Sequence, residues 1–79
     1  NYFDITGATQ INTISGANWS AGSVVMLQFD SNPTVAHNTA GTGASILLAG
    51  AANFATTAND TLMLIYDGTT WRELARTVI

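Results

Sequence analysis

His37 is the only imidazole in a sequence without cysteine, so any nucleophilic catalysis would need a hydroxyl activated by this one base. No Gly-x-Ser-x-Gly elbow accompanies it, and Asp30 and its neighbouring hydroxyls read as turn and strand residues. A lone histidine followed by Asn38 reads as a packing or turn hydrogen-bonding side chain. Its functional alternative is a symmetry axis on which three copies of His37 share an ion or a water. Asp30 and Asp67 each follow an apolar run, but the ligand spacing of a calcium loop is absent, and capping the turn after a strand is the expected role. Gly41-Thr42-Gly43 lacks the lysine and following helix of a phosphate loop. No two carboxylates share an evident cleft position, as glycoside hydrolysis would require. The expectation is a chain that is not an enzyme and has no cofactor or metal. Aromatic side chains beside asparagine and threonine remain: Trp19, Tyr66 and Trp71 are candidates for stacking on sugar rings, against the alternative that they close the ends of a small β core.

Composition narrows the partners. A net charge of -3, with Arg72 and Arg76 as the only basic residues besides the histidine, argues against nucleic acid, which favours a basic stripe that displaces phosphate counterions. Anionic membranes are disfavoured on the same ground. No apolar run approaches the ~20 residues of a membrane-spanning helix, and no basic segment precedes an apolar one as in a signal peptide. The chain opens at Asn1 rather than methionine and reads as a piece of something longer. At 79 residues, folding hides only about 60% of the surface that the unfolded chain exposes. Small domains compensate with disulfides, metals or oligomerisation, and the first two have almost no residues to build on. With 47% apolar and 9% charged residues, some apolar surface is expected to meet a partner.

The elements that must carry this surface come from an internal duplication. Ala21-Gly22-Ser23-Val24-Val25-Met26-Leu27-Gln28-Phe29-Asp30 aligns without a gap on Ala58-Asn59-Asp60-Thr61-Leu62-Met63-Leu64-Ile65-Tyr66-Asp67. Upstream, Ile14-Ser15-Gly16-Ala17-Asn18-Trp19 resembles Leu48-Ala49-Gly50-Ala51-Ala52-Asn53-Phe54 once a small insertion is allowed. The repeat units run over about 5–40 and 44–79 of a single β domain, 1–79. Helix is a poor reading because threonine, glycine and asparagine interrupt every apolar stripe; one helical turn between Ala49 and Ala58 is the exception. Strands are expected at Tyr2 to Thr6, Gln10 to Ile14, Ser23 to Phe29, Thr34 to His37, Ser45 to Leu48, Thr61 to Tyr66 and Thr70 to Val78. Asp67-Gly68 marks the sharpest turn, a tight hairpin. Short strands at regular spacing imply an all-β fold, a small sandwich or jelly-roll-like domain or a barrel.

Alternation along the two long strands assigns their faces. Val25, Leu27 and Phe29 share one side with Leu62, Leu64 and Tyr66, the expected core. Val24, Met26 and Gln28 share the other with Thr61, Met63 and Ile65. Strands apolar on both faces are normally covered on both. The second cover is expected to be another copy of the chain, the alternative being its own short strands.

Leu27-Gln28-Phe29-Asp30, Thr34-Val35-Ala36-His37-Asn38, Leu47 to Phe54 with its L-x-G-x-x-N-F turn, and Thr61 to Arg72, where Asp60 leads to Tyr66-Asp67-Gly68-Thr69-Thr70-Trp71-Arg72, together resemble a module of tailed-phage tail-fibre, spike and head-fibre proteins. The resemblance runs from about Ile5 to Arg76. It implies a small β domain, usually a homotrimer, exposed on the virion surface, in contact with other virion proteins and without enzymatic activity of its own. A host-surface glycan is the further partner it suggests, and capsid decoration is the alternative role. The family transfers no fixed binding residues. Folding in a reducing cytoplasm before release agrees with the missing cysteines.

Overall fold

The computed structural model describes residues 1–79 as eight strands and one short helical turn. The strands are β1 (Tyr2–Ile5), β2 (Thr13–Ile14), β3 (Val24–Phe29), β4 (Thr34–Val35), β5 (Ala44–Leu47), β6 (Phe54–Ala55), β7 (Thr61–Tyr66) and β8 (Trp71–Thr77). A 3-10 turn at Ala49–Ala51 precedes β6. Six strands form one mixed sheet in the order β1-β3-β7-β8-β5-β2, and β4 with β6 forms a second, two-stranded sheet. The fold is all-β, as the spacing of short strands implied.

The duplicated strands lie side by side. β3 and β7 pair antiparallel with Met26 opposite Met63, so each copy reads the other across a local two-fold axis. The turns that enter the two strands repeat this relation. Gly22 donates its N–H to the Tyr66 carbonyl at 2.7 Å, and the equivalent Asn59 donates to Phe29 at 2.7 Å. Both residues have positive φ, 93° at Gly22 and 75° at Asn59, a conformation that glycine and asparagine tolerate better than other residues. The sequence repeat is therefore a structural repeat at its hydrogen bonds.

Several expected elements shift. The run Gln10 to Ile14 keeps only Thr13–Ile14 as strand, because Ile11 turns aside to bridge Val35. β4 stops at Val35, since His37 is drawn out of the ladder by hydrogen bonds to Asn53 and Leu48. The stretch Gly50 to Asp60, read as turn, contains β6, which pairs Phe54 with Val35. The tight hairpin at Asp67-Gly68 is instead a four-residue loop, Asp67 to Thr70. The Asp67 carboxylate accepts the N–H groups of Thr69 and Thr70 there, and Gly68 holds φ at 96°. Asp30, the duplicate of Asp67, has no such side-chain hydrogen bonds. Two pairings are parallel, β1 with β3 and β5 with β8, which simple hairpins do not produce.

The core is one cluster: Val25, Leu27 and Phe29 from β3, Leu62 and Leu64 from β7, with Val35, Ile46, Leu48, Phe54 and Trp71. The face assignment from alternation is thus reproduced, except that Tyr66 is only half-buried. β8 carries a bulge, with Met63 opposite Ala75 but Leu64 opposite Glu73, so Leu74 is the extra residue. The bulge resets the alternation and turns both Glu73 and Arg76 toward the inner side. There Arg76 binds Glu73 at 2.8 Å through both Nε and Nη2, and its guanidinium lies 3.9 Å from the centre of the Phe54 ring. The Ala49 N–H donates to the same carboxylate at 2.8 Å, tying the 3-10 turn to β8.

Candidate assembly face and edge cleft

Val24, Met26, Gln28, Thr61, Met63 and Ile65 all stand on the outer face of β3 and β7. The alternative cover, the chain's own short strands, lies elsewhere: β4, β5 and β6 contribute their buried residues to the inner cluster. Pairing registers extend the face beyond the six predicted residues. Tyr2 is opposite Met26, Met26 opposite Met63, and Met63 opposite Ala75. A row of apolar side chains therefore crosses four strands. Val24 and Ile65 form a shorter row beside it, which ends at the exposed Arg72 opposite Ile65, and the bulge adds Leu74, which is 52% exposed. Asp4, Gln28, Thr61 and Thr77 form the row on the other side, a continuous polar margin. Tyr2, Ala75 and Leu74 were missed in the sequence because β1 and β8 reach this face only through a parallel pairing and a bulge.

The three aromatic candidates converge, but on the opposite side of the sheet. Trp71 is fully buried, with its ring 5.8 Å from Trp19 and 4.8 Å from Tyr66, and its indole N–H donates to the Ile14 carbonyl at 3.2 Å. Its ring faces are occupied by protein, which corrects the expectation that Trp71 stacks on a sugar. Tyr66 is covered by Gly16 along its hydroxyl edge and donates its O–H to Gly68 at 3.1 Å. Trp19 is half-buried and meets Phe3 edge-on at 6.3 Å.

Trp19 and Phe3 stand at a cleft of about 460 Å³ lined mainly by apolar side chains. Its walls are the two edges of the six-stranded sheet: Phe3, Asp4 and Ile5 of β1 on one side, Thr13 and Ile14 of β2 on the other, with Val25, Leu27 and Trp71 as the floor. The wall at β2 is held close to its neighbour, since a Cβ on Gly43 would lie 2.7 Å from the Ile14 carbonyl carbon. The curled sheet does not close here, which is why the cleft exists.

His37 has a structural job. Its Nδ1 accepts the Leu48 N–H at 3.0 Å, its own N–H donates to Asn53 Oδ1 at 2.8 Å, and its carbonyl accepts the Thr39 hydroxyl at 3.1 Å. The ring proton is thereby assigned to Nε2.

Three carboxylates are held below their ordinary ranges. The buried Asp60 accepts the N–H groups of Ile79 and Thr57 and the Thr57 hydroxyl. Asp67 is lowered by the Thr70 N–H, then by Arg72 and the Thr69 N–H, and Glu73 chiefly by Arg76. Each group binds its proton less tightly folded than unfolded. Its stabilising contribution is therefore complete above the unfolded values, 3.8 for aspartate and 4.5 for glutamate, and is lost as pH falls through them toward the folded ones. At one fixed protein concentration, the urea midpoint should be lower at about pH 3 than at about pH 6. Equal midpoints would show that these hydrogen bonds do not form.

No protein-family model matches the chain, and none of the curated proteins or solved structures matches it significantly.

Proposed function

We propose that this chain is a non-enzymatic structural module that assembles as three copies through the outer face of β3 and β7, within a virion surface protein of the tailed-phage kind. The observation that carries the assembly is the apolar row Tyr2–Met26–Met63–Ala75, with its ends exposed, its two methionines half-buried and no second strand layer over it. The setting in a virion rests on the sequence resemblance, and the scarcity of charge supports a surface meant for burial. Aspartate at position 63 would place an unpaired carboxylate in the middle of the contact, at a cost too high for such an interface to hold.

Light scattering on the wild-type chain and on Met63→Asp tests this. The expected result is a threefold fall in mass for the variant, with an unchanged circular dichroism spectrum. A wild-type protein at 8.3 kDa in the micromolar range, or a mass indifferent to Met63→Asp, would remove the proposal.

A further inference from the structure

The geometry points to a second self-contact: β1 pairs edge to edge with β1 of another copy, antiparallel, about a two-fold axis at Phe3. β1 is the outermost strand of the sheet. Asn1 accepts a hydrogen bond from Met26 and Ile5 accepts one from Asp30. By alternation, then, the backbone groups of residues 1, 3 and 5 face β3, while those of Tyr2 and Asp4 face outward. Among the turn, loop and inter-element bonds, none reaches a Tyr2 or Asp4 backbone group. An exposed strand edge with its donors and acceptors free is a template for another strand.

Self-complementarity selects the register. Antiparallel partners exchange both hydrogen bonds only when both residues face outward, which leaves three choices that use Tyr2 and Asp4. Tyr2 opposite Tyr2 leaves Asp4 unpaired within the strand, and Asp4 opposite Asp4 sets two carboxylates side by side, which is unfavourable. Tyr2 opposite Asp4 uses all four outward groups of each strand and keeps the carboxylates apart. Phe3 then faces Phe3 of the other copy at a non-hydrogen-bonded position, where side chains come closest.

Two further observations suit a second copy as the occupant. Phe3, 42% exposed, stands at the rim of the apolar cleft against Trp19, and the partner's ring would be delivered to the same rim. The outer apolar row also reaches β1 at Tyr2, so the joined sheets continue the face proposed for assembly. The edge contact does not depend on that face contact. With both contacts, two trimers associate; with the edge alone, two single chains do.

The chain has no cysteine, which allows a direct cross-linking test. In this register two Phe3 Cα atoms lie roughly 4.5 Å apart, at the short end of the disulfide range of about 4.4–6.8 Å. Two Tyr2 residues lie diagonally, about 7–8 Å apart. Under mild oxidation the Phe3→Cys variant should form covalent dimers at least about tenfold faster than Tyr2→Cys, although Tyr2, at 61%, is the more exposed position. Asp4→Pro removes an outward N–H that the sheet does not use, and proline is tolerated on such an edge. It should halve the mass in light scattering and leave the circular dichroism spectrum intact. Met63→Asp should leave the Phe3→Cys cross-link in place, which separates failure of the edge from failure of the face. Faster cross-linking of Tyr2→Cys, or a mass unaffected by Asp4→Pro in a folded protein, would overturn the inference.

Discussion

Trp71→Ala is expected to remove a large part of the protein's folding stability. The indole is fully buried, and it joins the first residue of β8 to Trp19, Tyr66 and the carbonyl of Ile14 on β2. Truncating a buried tryptophan costs about 3–5 kcal/mol. At roughly 0.05–0.15 kcal/mol per residue, the total stability of a chain this short is only about 4–12 kcal/mol. One side chain therefore carries a quarter or more of it. Trp71→Phe should fall between the two proteins, since it keeps a ring in the site but leaves the Ile14 carbonyl without its donor. Urea unfolding of the three proteins checks this. A shift below about 1 kcal/mol for Trp71→Ala would mean that the indole is not the centre of packing described above.

The second large effect is a contrast between neighbours. Leu64 is fully buried in the core, whereas Met63, the residue before it, stands on the outer row. Leu64→Ala should cost about 2–5 kcal/mol of folding stability, visible as a lower urea midpoint under conditions where the chains do not associate. Met63→Ala should change that midpoint by less than about 1 kcal/mol and act on assembly instead, raising the concentration at which the mass begins to fall. Equal losses of folding stability for the two substitutions would show that both faces of β7 are packed within a single chain, and the outer row would lose its meaning as an interface.

This contrast was legible in the sequence because period-2 alternation is a local property, and the duplication supplied it twice. The repeat also located the two entry turns, where Gly22 and Asn59 share a positive φ. What escaped was non-local or depended on one irregular residue. The parallel β1–β3 pairing has no turn to announce it, so Tyr2 gave no sign of sharing a face with Met26. Simple alternation puts Glu73 and Arg76 on opposite sides of a strand; only the extra residue at Leu74 brings their side chains together. Phe54 sat in a stretch of alanines too short and too small to read as a strand, and β6 exists because Val35 offers it a partner. Trp71 carried both readings, sugar platform and core plug, because composition around a tryptophan does not reveal what lies over its ring. The edge cleft was invisible for a similar reason: it is a space between two strand edges, and no residue type marks a gap.

The strand order β1-β3-β7-β8-β5-β2 also has a kinetic meaning. β8 is the sole link in the ladder between the β1-β3-β7 half and the β5-β2 half, and it is the last strand in the chain. A chain emerging from its N-terminus can assemble β3 with β7 as soon as residue 66 is free, but the two halves cannot be joined until β8 arrives. The parallel pairings add long loops that must close before any contact rewards them, which slows folding. Until then the apolar β5 and β2 strands wait without their neighbour, and the time spent waiting is when the chain would be most open to pairing with the wrong copy.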